Sequence, residues 1–68
     1  MRWIVFDYAQ TQLFLGNPDK FIEYVERGIM EQTADWQRGT FAGTLELLTK
    51  AGIALPRLDE GIAMLRVQ

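Results

Sequence analysis

The clearest pattern of apolar and polar positions lies between residues 18 and 32. Phe21, Ile22, Tyr24, Val25 and Ile29 gather on one face at helical spacing, while Lys20, Glu23, Glu26, Arg27 and Glu31 fall on the other. Asn17 offers an N-cap, Pro18 a pre-set φ for the first helical position, and Asp19 a negative charge in the first turn. Glu23–Arg27 and Arg27–Glu31 stand at i,i+4, a spacing that adds about 0.2–0.5 kcal/mol per pair. The pattern predicts an amphipathic helix over residues 18 to about 32.

A second stripe follows. Phe41, Leu45 and Leu48 recur at i, i+4 and i+7, with Ala42 and Leu47 widening the face. This predicts a helix over residues 40 to 51, with a start as early as Trp36. Gly52 stands where a left-handed residue closes a helix.

The two ends read less sharply. Residues 2 to 6 are β-branched or aromatic and apolar on both faces, which favours a strand ending at Asp7. Asp7 then caps a two-turn helix, with Gln10 completing a capping box and Gly16 closing it. The competing reading runs one helix straight through from Trp3. At the other end, residues 53 to 55 are extended before Pro56. Leu58, Ile62 and Leu65 then favour a short helix, since Ala, Met and Leu are good helix formers. The alternative is a hairpin turning at residues 59 to 61, which would make the fold α+β and winged-helix-like. The expectation is one small, mostly α domain over residues 1 to 68. It has two amphipathic helices packed antiparallel, a short N-terminal strand or helix, and a short C-terminal helix.

Composition changes this picture in one respect. With 49% hydrophobic and 24% charged residues, the chain is no disordered tail. Yet a lone core in 68 residues yields typically about 3–5 kcal/mol, and small domains commonly add a staple. Cysteine and histidine are absent, so disulfides and zinc are not available as staples. Association, with a second copy or another protein, is the staple that remains.

The same absences bear on chemistry. Serine is missing too, so no Ser-His-Asp triad, Cys-His pair or imidazole proton shuttle is available. Asp19, Glu23 and Glu26 alternate with Lys20 and Arg27 and read as a solvated, self-paired face. The run Gly39-Thr40-Phe41-Ala42-Gly43-Thr44 lacks the ending of a phosphate loop. No catalytic residue, cofactor or metal site is expected, and the chain reads as a non-enzyme.

Charge narrows the partners. Seven basic residues against nine acidic ones give a net charge of -2, and Arg2, Lys20, Arg27, Arg38, Lys50, Arg57 and Arg66 are scattered singly. Strong binding to nucleic acid draws on clustered cations, so only weak duplex binding is expected. The outer positions of residues 40 to 51 are Thr44, Glu46, Thr49 and Lys50, a poor surface for reading bases. The apolar opening stops at Asp7, short of a signal segment, and a cytoplasmic chain with no membrane span is the expectation.

What remains is surface for a protein partner. Trp36 and Arg38 are expected as interface anchors, with Trp3 and Tyr8 on the same surface, because Trp, Tyr and Arg dominate binding hot spots. The competing reading folds Trp36 back over the helix pair as a core cap. Gly39 and Gly43 form a small-residue strip suited to a tight helix crossing, within the chain or across a dimer axis. The function that follows is a small regulatory protein, an inhibitor or adaptor, which binds a partner protein as a homodimer. The alternative is a DNA-binding regulator of helix-turn-helix or winged-helix type.

Overall fold

A computed structural model describes residues 3–31 and 34–66, apart from the side chains of Trp3 and Ile4. Four helices follow one another: α1 (Trp3–Phe14), α2 (Pro18–Met30), α3 (Asp35–Lys50) and α4 (Leu58–Arg66). The mostly helical expectation holds. Among the described residues there is no strand, so the hairpin alternative at the C-terminus gives way to α4.

The N-terminal strand also gives way to helix, which runs unbroken from Trp3 through Asp7. The reason is packing. Phe6, Ala9 and Leu13, at i, i+3 and i+7, are buried together, and that helical stripe overrides the β preference of residues 3 to 6. Asp7 is exposed inside the helix rather than capping it, and its carbonyl accepts the Thr11 hydroxyl at 2.9 Å. Residue 2 of the expected strand and residue 32 of the expected second helix lie outside the described residues.

Two glycines end helices as the sequence predicts. Gly16 and Gly52 both stand at φ +82. Behind each, the paired bonds of a Schellman closure form: Asn17 N–H to the Gln12 carbonyl at 2.9 Å, and Ile53 N–H to the Leu48 carbonyl at 3.0 Å. Asn17 makes no side-chain cap on α2; its amide donates instead to Gln12 Oε1 at 2.9 Å.

α1 and α2 run antiparallel, with Phe6 against Gly28 and the Tyr8 ring 5.8 Å from that of Tyr24. α4 lies along both α3 and α2. Phe6 stacks on Phe41 of α3 at 4.8 Å, and Phe21 of α2 presses on Gly61 of α4. The core therefore draws on every helix: Phe6, Leu13, Phe21, Val25 and Leu45 are its largest fully buried side chains, and α4 adds Leu58 and Leu65. Ile22, Tyr24, Ile29, Leu48 and Ile62 pack at its edge, as their spacing predicts.

Candidate interaction surface

The surface centres on α3. Its first turn is held by Gln37, whose Oε1 accepts the Ala34 N–H at 2.8 Å, the half of a capping box that needs no hydroxyl. Asp35 adds a negative charge where the helix dipole favours one. The stripe Arg38, Phe41, Ala42 and Leu45 faces inward and is buried. Trp36, two positions before Arg38 and so on the far side of the helix, is carried outward and is 62% exposed.

Arg38 is the correction. The sequence places it beside Trp36 as a second exposed anchor, but it is only 8% exposed. Its register matches Phe41 and Ala42, so helical periodicity turns it inward, and its guanidinium donates to the Asp35 carboxylate at the helix start. Asp35, not Arg38, is the charge that this turn offers to solvent.

The glycine strip also differs from expectation within the chain. A Cβ at Gly43 would meet nothing within 4 Å, and one at Gly39 would meet only the tip of Arg66 at 4.0 Å. Among the described residues no close helix crossing forms there. The close crossings fall at Gly28, where Phe6 Cε1 would lie 2.5 Å from an added Cβ, and at Gly61 under Phe21. Leu47 departs in the same direction: expected to widen the inward face, it is 64% exposed. Its signal was legible, since it sits three turns from Trp36 on the same face.

Tyr8 is not brought onto α3. Tyr8 is 55% exposed, but its ring contact is with Tyr24 of α2, over which the Arg27 guanidinium lies at 5.4 Å. Trp3 opens α1, and its side chain lies outside the described residues.

Electrostatics elsewhere is spent on internal pairs. Lys20 and Arg27 pair with Glu23, Arg57 with Asp19 and Glu60, and Arg66 with Glu46. The hydrogen bond from Arg57 holds the Glu60 carboxyl below its ordinary value, and that from Arg66 does the same for Glu46. In return the guanidinium of each arginine is pushed further up. Cations tied in this way offer little to a phosphate backbone.

The described surface also carries shallow hollows. A hollow of about 250 Å³ lies between the end of α3 and the start of α4, lined by Thr49, Ile53, Leu55, Leu58 and Asp59. It falls below the usual size of small-molecule sites, about 300–1,000 Å³, and few polar groups converge on it. A second, of about 390 Å³, is lined by α2 alone, around Met30, and has no opposing wall. Among the described residues no group of three or more acidic side chains could hold a metal ion, and no helix is long and apolar enough to cross a membrane. Compared with protein families, curated proteins and solved structures, the chain matches none.

Proposed function

We propose that this chain is a non-enzymatic interaction module, a small regulator of the inhibitor or adaptor kind, which docks the outward face of α3 on another polypeptide. One observation carries the reading: Trp36 and Leu47, both more than three-fifths exposed, share one face of a helix whose opposite face is buried. A large aromatic kept out of a small core is the side chain that interfaces use as an anchor. Internal pairing of Lys20, Arg27, Arg57 and Arg66 weighs against the DNA-binding alternative.

In-cell photo-crosslinking tests this. A photoreactive residue at Leu47 should capture a polypeptide, and Trp36→Ala should abolish the product while leaving the circular dichroism melt unchanged. The same probe at Glu26, on the charged face of α2, should capture nothing comparable. Equal labelling from both positions, or none from Leu47, would contradict the proposal.

A further inference from the structure

The outward face of α3 matches itself. At about 100° per residue, Trp36 and Leu47 lie within about 20° of each other around the helix and about 16 Å apart along it. Thr40 and Gly43 stand between them, and both pairs share one midpoint, between Phe41 and Ala42. A two-fold axis through that midpoint sets a second α3 antiparallel to the first. It places Trp36 of each copy on Leu47 of the other, and Thr40 of each against the bare backbone at Gly43. Apolar meets apolar, and a side chain meets a gap.

Charge says what covers the face. Asp35 and Lys50 are both exposed, lie on the same flank of the stripe and straddle nearly the same midpoint. The two-fold therefore brings the exposed Asp35 carboxylate, whose Oδ1 is already held by Arg38 of its own chain, beside Lys50 of the second copy, twice per dimer, and opposes the two helix dipoles. An isologous contact needs such self-matching, whereas an unrelated partner does not.

We infer that a second copy of this chain covers the face, α3 antiparallel on α3. The inference rests on reading α3 as a docking surface, and it names the occupant. Sedimentation equilibrium of the purified chain, from about 5 µM to about 1 mM, should show the mass rise from 7.8 kDa toward twice that value. Gly43→Leu projects into open space within the chain, so its melt should stay cooperative while the dimer is lost. Lys50→Glu should weaken the dimer about tenfold by setting like charges together, and adding Asp35→Lys should restore it. Where Asp35→Lys fails to fold, Gly43→Leu and Lys50→Glu decide. A mass of 7.8 kDa throughout, or a dimer indifferent to both, would overturn the inference. A monomer whose Leu47 still crosslinks in cells would discard the second copy and leave the docking reading standing.

Discussion

Two phenylalanine rings press on glycine backbone, Phe6 on Gly28 and Phe21 on Gly61, and these contacts join α1 to α2 and α2 to α4. They give the glycines of this chain opposite roles. Gly28→Ala drives a Cβ into the Phe6 ring, and overpacking of about 1–3 kcal/mol outweighs the roughly 1 kcal/mol that alanine gains in helix propensity. Gly43→Ala meets nothing and should stabilise the dilute chain by about 0.5–1 kcal/mol. Urea melts of the two variants should move in opposite directions; a loss at both, or a gain at both, would refute this assignment. The sequence marked Gly39 and Gly43 as the close crossing because they stand four apart. Gly28 and Gly61 carried no such sign, since the ring that needs each one comes from a distant helix. Arg38 was misplaced for a simpler reason: its type suggests surface, while its register with Phe41 and Ala42 places it inside.

Helix ends were the most legible elements, because their chemistry is local. Gly16, Gly52 and Pro18 need only their own backbone geometry, and each stands where the sequence puts it. The start of α1 was not legible, since residues 3 to 6 prefer strand until the buried stripe through Phe6, Ala9 and Leu13 decides. The start of α4 shows the same limit. Pro56 announces a turn, but the left-handed residue after it is Arg57, at φ 63, where a glycine or asparagine is usual. What holds Arg57 there comes from elsewhere: its Nη1 reaches Asp19 at 2.7 Å, while Nε and Nη2 grip Glu60 at 2.9 and 2.7 Å. A pH dependence follows. Glu60 and Glu46 have carboxyls held below their ordinary 4.5 by Arg57 and Arg66. A group whose folded pKa is depressed contributes stability above its unfolded value and loses it as pH falls through the folded one. With no histidine or cysteine, no side chain has an ordinary pKa between about 6 and 8. Stability should therefore be flat there and fall below about pH 4.5, and Arg57→Ala should shallow that acid limb. A melting point that changes steeply between pH 6 and 8, or an acid limb unmoved by Arg57→Ala, would contradict it.

At the scale of the molecule, the question raised by size has an answer in the packing. A folded monomer of 7.8 kDa exposes about 4,400 Å², and this chain exposes 4283 Å², so its core is closed without a partner. On the 30 × 20 × 17 Å body, Trp36 and Leu47 of α3 keep most of their surface in solvent. That the chain is helical, and which faces of α2 and α4 turn inward, could be read from periodicity. That Trp36 and Leu47 share a face follows from their eleven-residue spacing; that this face turns outward needed the structure, in which the opposite stripe of α3 is buried.

Under the docking proposed above, α3 keeps one face for the fold and one for association. Thermal melts of the chain and of its Trp36→Ala, Leu47→Ala double variant, each over a dilution series, test this most directly. The two should melt together at low micromolar concentration, where both are monomers. They should then diverge as concentration rises, the natural chain gaining stability by mass action while the variant stays level. A variant that melts lower by the same margin at every concentration would show that these side chains hold the fold, and would contradict the claim.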